Sequence, residues 1–321
     1  MSAEWDNALA RIVELQSKDG DEVLDVCRTQ FMSHGSPAKD AVLLLHGYTN
    51  SPPQFREIAA AYYAQGANVL VPRIPYHGLA DPMNRELSEL TPAVLSAFTN
   101  EAVTAAAGLG ERLTVVGLSL GGLLVAWAAK NHDAVTDAVM IAPFLQPKAV
   151  PEWVDAPFDG AMRRMPDVFS WWNPKLKEAE VRGTYAYPKF SLKAVAAMID
   201  LRRTIEREPA GRTTQLHKVL LVLNASDIAI RNDVATDFTQ QQFTPLADSV
   251  EIVMLDKELG LTHDLVEPNG DNRNRMDVAR ENLWPLLGLE VPAAGVLGGP
   301  PPGGGYFAPD DGQHSTSGDA G

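Results

Sequence analysis

Short runs of Val, Leu and Ile recur along this chain, and longer amphipathic patterns separate them. Strands with so little alternation of polar and apolar residues are typical of a sheet that is covered on both faces. Because the runs alternate with helical patterns, they predict an α/β fold, with a mostly parallel central sheet and helices on both faces. The six strand candidates are Val42–Leu45, Val69–Val71, Leu113–Val116, Ala138–Ile141, Val219–Leu223 and Val250–Met254.

The segments between these runs carry helix start signals. Ser51-Pro-Pro-Gln54 fits an N-cap, a proline at the first helical position and a capping-box glutamine. Thr91-Pro92 begins a second predicted helix in the same way. Two further helices are predicted over Leu120–Asn131 and Asp277–Leu289. Each predicted helix therefore follows a predicted strand.

Two regions depart from this alternation. Residues 145–215 form an insertion where a short strand–helix–strand unit would suffice, and they contain Trp153, Trp171 and Trp172. Residues 291–321 are rich in Gly and Pro, and such a segment buries too little apolar surface to offset its ordering entropy, so it is predicted to be a disordered tail. The remaining chain divides into an N-terminal helix and lead-in strand (1–40) and the α/β core (41–144 and 216–290).

Charge and cysteine content restrict the partners. A formal net charge of −14 disfavours nucleic acid and anionic lipid, which require clustered Lys or Arg. Residues 1–20 lack the basic start and apolar run of a signal peptide, and no stretch approaches the roughly 18 apolar residues that span a bilayer. The single cysteine, Cys27, allows no intrachain disulfide. We therefore expect a cytoplasmic protein with a small-molecule substrate.

The segment GLSLG at 117–121 matches the pattern G-x-S-x-G. It follows the predicted strand Leu113–Val116 directly and begins the predicted helix Leu120–Asn131. This is the setting of a nucleophile elbow, in which glycines permit a tight turn and close packing of the helix on the strand. Ser119 is therefore the candidate nucleophile; the alternative is an N-cap serine in an ordinary turn.

A serine hydroxyl needs a base to take its proton, and the base needs an orienting acid. After an elbow serine, the acid and then the histidine follow along the chain. Of the later histidines, His132 lies behind the elbow helix, His217 precedes a strand and His314 lies in the tail. His263 lies in a loop after a strand, where ligand-contacting loops gather, and is the candidate base.

Asp227 is the candidate acid, because it follows the buried run Val219–Leu223. Asp233 is the main alternative, although the apolar residues after it are typical of a helix whose N-cap it would form. Asp264 is a second alternative, but it is adjacent to His263, and neighbouring side chains usually point in different directions.

The backbone N–H groups of Leu120 and Tyr48 are the candidate oxyanion hole. Leu120 follows the nucleophile, and Tyr48 follows His46-Gly47 at the end of the first predicted strand. A structural role beneath the oxyanion hole is expected for His46, and a loop-structural role for His77.

The chain resembles the α/β-hydrolase superfamily over roughly residues 40–289. The resemblance is carried, in chain order, by His46-Gly47, GLSLG at 117–121, Asp227 and His263. The chain is most similar to bacterial carboxylesterases and monoacylglycerol lipases of the type that has HG followed by an aromatic residue. The resemblance implies that 145–215 is a lid inserted after the sixth strand and that Tyr48 is the oxyanion residue. Relatives often have Gly before the catalytic His, whereas Thr262 stands here.

The resemblance and the candidate site together imply a serine hydrolase that cleaves carboxylic esters of short to medium chain length, or monoacylglycerols, through an acyl-enzyme. Neither a metal nor a cofactor is expected. Phe144, Trp171 and Trp172 are expected to line an apolar acyl pocket, although packing of the lid on the body would account for them equally well. Two other hypotheses remain: a C–C bond hydrolase or acyltransferase with the same triad, and a non-catalytic binding protein.

Overall fold

The computed structural model describes residues 3–148, 166–172, 185–268 and 275–291. All six predicted strands belong to one sheet of seven strands. Each strand is longer than its apolar run, because the polar ends of the strands also join the backbone ladder. In chain order the nine strands are β1 (Gln30–Met32), β2 (Ala38–Leu45), β3 (Asn68–Val71), β4 (Gly110–Leu118), β5 (Val135–Ile141), β6 (Phe169–Trp171), β7 (Lys189–Ser191), β8 (Leu216–Asn224) and β9 (Ala247–Leu255).

The main sheet has the strand order β1-β3-β2-β4-β5-β8-β9. Its strands run parallel except β1, which pairs antiparallel with β3 at one edge. Strands β6 and β7 form a separate antiparallel pair within the insertion. Parallel strands bring all their carboxyl ends to one edge of the sheet, where ligands of open α/β folds bind. The loops after β2, β4, β8 and β9 therefore meet at that edge.

Seven α-helices accompany the strands in the described part of the chain. Helix α3 packs against α1, α4 and α5, while α7 is joined to α2 by the Arg280–Glu57 ion pair at 2.9 Å. These two groups cover the two faces of the sheet. The apolar runs of β2, β3, β4, β5 and β8 are buried between them, whereas most of the edge strand β9 is only partly buried. The helices are α1 (Ala3–Ser17), α2 (Arg56–Ala64), α3 (Pro92–Ala107), α4 (Leu120–Asn131), α5 (Leu192–Arg207), α6 (Asn232–Phe243) and α7 (Met276–Leu283).

The predicted helix starts are confirmed in one case and corrected in another. Thr91 caps α3, since its hydroxyl accepts a hydrogen bond from Val94 N–H at 3.2 Å. The expected capping box at Ser51 and Gln54 is wrong. Ser51 makes no capping bond, and a 3₁₀ turn (Pro52–Phe55) precedes α2.

Two boundaries also differ from the sequence-based prediction. The last helix ends at Leu283 and continues as a 3₁₀ turn (Trp284–Leu287), because Pro285 has no N–H for an α-helical bond. The resemblance places the insertion after the sixth strand, but it follows the fifth strand of the described chain, since only β1 precedes β2 there. Of the predicted disordered tail (291–321), residues 292–321 lie outside the described residues, and so does Trp153.

Candidate active site

Ser119 occupies a strained turn between β4 and α4. Its φ of 55° and ψ of −112° lie in a region that non-glycine residues rarely adopt. Three backbone hydrogen bonds hold it there: its N–H donates to Ile141 O, and its carbonyl accepts from the N–H groups of Leu123 and Phe144. The serine is only 7 % exposed. Strain at a serine between a strand and a helix is the signature of a nucleophile elbow.

The glycines around Ser119 have no room for a side chain. A Cβ atom on Gly121 would lie 1.8 Å from the carbonyl oxygen of Leu45, and one on Gly117 would lie 2.3 Å from the backbone of Gly121. Helix α4 therefore packs directly on the ends of β2 and β4. This close approach explains both glycines of the G-x-S-x-G pattern.

His263 and Asp227 form a direct hydrogen bond. The Nδ1 atom of His263 lies 2.6 Å from Oδ2 of Asp227, and the other carboxylate oxygen accepts from the N–H groups of Ala229 and Ile230. Because a carboxylate only accepts, the proton of the imidazole lies on Nδ1 and Nε2 is left as a base. Burial acts to raise the pKa of Asp227, but the bonds from His263, Ala229 and Ile230 outweigh it and lower that pKa.

The two alternative acids have other partners. Asp233 is the second residue of α6 rather than its N-cap, and its carboxylate pairs with Arg231. That pairing lowers the pKa of Asp233 to about 2. Asp264 accepts a hydrogen bond from Gln54 Nε2 at 2.7 Å and from the backbone N–H groups of Val266 and Glu267.

Ser119, His263 and Asp227 follow β4, β9 and β8 respectively, so all three lie at the carboxyl edge of the sheet. In the described part of the chain, no hydrogen bond joins the Ser119 hydroxyl to the His263 ring. Catalytic hydrogen bonds are often long without a substrate and shorten in the complex.

His46 fixes the peptide that precedes Tyr48. Its Nε2 accepts from Ile74 N–H at 3.0 Å, so its proton lies on Nδ1, which donates to Gly47 O at 3.0 Å. Asn50 N–H donates to the same carbonyl oxygen. Burial, with a contribution from His77, lowers the pKa of His46 well below its usual value. The imidazole is therefore a neutral structural group.

This arrangement determines where the Tyr48 N–H points. The peptide bond between Gly47 and Tyr48 is planar and trans, so its N–H points opposite to its carbonyl and away from His46. The left-handed residue of this turn is Thr49 (φ 65°) rather than Gly47. Among the described residues, neither the Tyr48 N–H nor that of Leu120, the first residue of α4, donates to a backbone carbonyl.

The insertion contacts the HG loop (46–50) at several points. The Tyr48 hydroxyl donates to Ser191 O at 3.1 Å and accepts from Ser191 N–H at 2.9 Å. Thr49 O accepts from Tyr187 N–H, and the Thr49 hydroxyl accepts from Trp172 Nε1 at 2.9 Å. Burial raises the pKa of the Tyr48 hydroxyl, so it remains protonated.

The three aromatic residues predicted to line a pocket lie in different environments. Phe144 is buried in the core beside Ser119. Trp172 packs against Phe190, meets Tyr48 edge-on and is 51 % exposed. Trp171, the last residue of β6, lies beside the Lys189 ammonium.

Two buried side-chain amides belong to the site, but the sequence analysis does not identify either of them as a site residue. Asn224, at the end of β8, donates to the carbonyls of Leu261 and Thr262 at 2.8 and 2.9 Å, and its Oδ1 accepts from Ser226 N–H. It thus joins the turn that carries Asp227 to the loop that carries His263. Gln54 is the second amide, and it joins the loops after β2 and β9. The sequence signal that could have identified Asn224 is its position as a polar residue at the end of an otherwise apolar run.

His77 is the second buried histidine near the HG loop. Its Nδ1 donates to Pro75 O at 2.9 Å, and its ring stacks on Tyr187. Burial, as the largest cause, lowers its pKa to about 4. Among the described residues there is no group of three His, Cys, Asp or Glu side chains that could hold a metal ion. No helix in those ranges has the length and apolar character needed to cross a membrane.

Comparison with known proteins is consistent with this geometry. A model of the alpha/beta hydrolase family matches residues 42–270. The thermostable monoacylglycerol lipase of Bacillus sp. (strain H-257) is 31% identical over 107 residues, which are 31% of this chain and 39% of that lipase. The chain therefore matches about two fifths of the length of that curated relative.

Solved structures share the fold at low sequence identity. A structure from a study of the metagenome-derived lipolytic enzymes LipS and LipT superposes with a TM-score of 0.58 at 19% identity, covering 81% of this chain and 99% of that one. The monoacylglycerol lipase of Paleococcus ferrophilus has a TM-score of 0.58 at 16% identity, with coverage of 79% and 96%. A soluble variant of the Saccharomyces cerevisiae monoglyceride lipase has a TM-score of 0.56 at 13% identity, covering 79% of this chain and 89% of that one.

Proposed function

The chain belongs to the alpha/beta hydrolase family, and from this premise we propose that it hydrolyses carboxylic esters with Ser119, His263 and Asp227 as its catalytic triad. The observation that carries the proposal is the 2.6 Å hydrogen bond between His263 and Asp227, formed at the sheet edge where the strained Ser119 also lies. A reactive set of this kind has no use in a binding protein.

In the proposed reaction, Nε2 of His263 takes the proton of the Ser119 hydroxyl while Oγ attacks the ester carbonyl carbon. The carbonyl oxygen gains the negative charge, and the N–H groups of Tyr48 and Leu120 donate to it. The tetrahedral intermediate collapses, the C–O bond to the alcohol breaks, and His263 gives its proton to the leaving oxygen. Water deacylates the serine by the same route, with Asp227 keeping the imidazole in the required tautomer throughout.

The substrate class follows from the residues near Ser119. Phe144 is buried beside the nucleophile, and Trp172 is half exposed beside Tyr48. The half-exposed Trp172 ring favours an apolar acyl chain over a charged group, and the similarity to a monoacylglycerol lipase supports the same substrate class. We therefore propose short- to medium-chain esters or monoacylglycerols. Trp171 lies beside the Lys189 ammonium and is left out of the proposed pocket, which is a change from the sequence-based prediction.

The test is hydrolysis of p-nitrophenyl esters from acetate to palmitate, together with a monoacylglycerol series. The expected result is activity that peaks at short or medium chains. Replacing Ser119 or His263 by Ala should lower kcat by about 10⁶-fold. Far-UV circular dichroism of each variant shows that the loss does not come from unfolding.

A folded protein that hydrolyses no ester would overturn the proposal. Turnover of a vinylogous 1,5-diketone, with loss that depends on Ser119, would then indicate C–C bond hydrolysis. Transfer of an acyl group to an added alcohol in preference to water would instead indicate an acyltransferase. Both reactions use the same nucleophile, so the Ser119→Ala control serves all three assays.

A further inference from the structure

The side-chain amide of Gln54 lies between two loops of the candidate site. Its Oε1 accepts from Gly47 N–H at 2.7 Å, and its Nε2 donates to Oδ2 of Asp264 at 2.7 Å. Gly47 directly precedes Tyr48, and Asp264 directly follows His263. The glutamine is only 2 % exposed, so water does not compete for either bond.

The orientation of this amide is determined by its partners. A backbone N–H can only donate, so the oxygen of Gln54 must face Gly47 and its nitrogen must face Asp264. The other oxygen of Asp264 accepts from the N–H groups of Val266 and Glu267, which holds the carboxylate in position. The chain of contacts from Gly47 through Gln54 to Asp264 is therefore directional, and reversing one member breaks it.

We propose that Gln54 is a positioning residue that sets the Tyr48 N–H against the base loop, and that Asp264 is its required acceptor. The inference rests on the proposed function, since it assigns the Tyr48 N–H to the oxyanion hole. Gln54 fixes the peptide before Gly47, and the bonds from His46 and Asn50 fix the peptide after it. Together these bonds hold the Tyr48 N–H at a fixed distance from the loop that carries His263.

The test is a donor–acceptor reversal between positions 54 and 264. In Gln54→Glu, two carboxylates face each other where a donor met an acceptor. In Asp264→Asn, the amide oxygen must still serve Val266 and Glu267, so two NH₂ groups face each other. The double variant Gln54→Glu, Asp264→Asn restores one acceptor and one donor with the polarity reversed, and the carboxylate introduced at position 54 can still accept from Gly47 N–H.

Each single variant should lower kcat by about 10- to 100-fold, less than the loss of an oxyanion donor, with a small change in KM. The double variant should recover kcat to within about threefold of the wild type, which a non-coupled pair would not do. The measurements are kcat and KM at pH 8 for p-nitrophenyl butyrate, below the melting temperature of every variant. His263, the charged neighbour of Asp264, is unchanged in all four proteins.

Two results would overturn the inference: single variants whose kcat equals that of the wild type, or a folded double variant as slow as the singles. A purely structural role would lower the melting temperature and leave kcat of the folded enzyme unchanged. If the wild type hydrolyses no ester, the proposed function fails separately. The same four proteins are then compared by the rate at which a fluorophosphonate probe labels Ser119, because that reaction uses the same oxyanion hole.

Discussion

His263 Nδ1 and Asp227 Oδ2 lie 2.6 Å apart, although the two residues are on different loops. The carboxylate is buried, while the imidazole is about a quarter exposed. This relationship fixes the tautomer of the imidazole and leaves Nε2 free to accept a proton. It also supports the proposal that Asp227, rather than Asp233 or Asp264, is the orienting acid.

Asp227→Asn should lower kcat by about 10⁴-fold with little loss of stability, because the amide keeps the shape and favours the wrong tautomer. The matched control is Asp233→Asn. Asp233 is exposed and paired with Arg231, so its change should leave kcat unaltered. Steady-state hydrolysis of the best ester checks both variants. If Asp233→Asn lost activity and Asp227→Asn remained active, the orienting acid would be Asp233 instead of Asp227.

The variant Tyr48→Phe distinguishes the role of the Tyr48 backbone N–H from the role of its side-chain hydroxyl. The hydroxyl is engaged by Ser191, so its removal should cost about 1–3 kcal/mol of unfolding free energy through the unsatisfied backbone of Ser191. Since the proposed oxyanion donor is the N–H, kcat should stay within about threefold of the wild type. Urea unfolding and kcat are measured for this variant and for Tyr63→Phe, whose hydroxyl contacts Ser33 O away from the site. A large drop in kcat of folded Tyr48→Phe would assign the hydroxyl to the chemistry.

Asn224→Leu should affect both stability and catalysis. The carbonyls of Leu261 and Thr262 lose their shared donor, and each buried group left unsatisfied costs about 1–3 kcal/mol. The loop that carries His263 is then held less firmly against Asp227, so kcat should fall as well. The control is Asn282→Leu on α7, where a single amide donates to a helical carbonyl. Equal effects of the two substitutions would show that Asn224 only fills the core.

Local patterns along the chain predict the parallel strands, the elbow at Ser119 and the pairing of His263 with Asp227. These succeed because a buried parallel strand needs a continuous apolar run, and because the carboxyl ends of such strands meet at one edge of the sheet. The short strands β6 and β7 escape sequence analysis, since three residues carry no readable period. Strand β1 lies in residues 1–40, where the sequence predicts a lead-in strand without bounds.

The buried amides cannot be predicted in the same way. The sequence suggests a capping box at Gln54 because capping is a local rule, whereas its partner Asp264 is 210 residues away. Similarly, Gly47 is the residue of the HG loop that best tolerates a positive φ, but the positive φ falls on Thr49, which contacts Tyr187 and Trp172 of the insertion. Tertiary contacts override local preference at these positions.

His77 makes the stability of the protein depend on pH. The unfolded chain binds a proton at this residue near the usual pKa of 6.5, whereas burial lowers the pKa in the folded state to about 4. The folded state therefore binds fewer protons between these values, and unfolding becomes easier as the pH falls. The contribution of His77 is complete above pH 6.5 and is lost on acidification towards pH 4, by about 3 kcal/mol in total.

His77→Asn tests this dependence, because an asparagine can keep the hydrogen bond to Pro75 O but cannot be protonated. The variant should be less stable than the wild type at pH 7, since it loses the ring that stacks on Tyr187. Between pH 7 and pH 4 the wild type should lose about 3 kcal/mol more unfolding free energy than the variant, as measured by urea denaturation at each pH. Titratable groups that do not interact with His77 titrate in the same way in both proteins and cancel in the difference. His46 contributes to the difference, because His77 helps to lower its pKa. Parallel curves would mean that His77 is protonated as easily in the folded state as in the unfolded chain, with a charge accommodated beneath the HG loop.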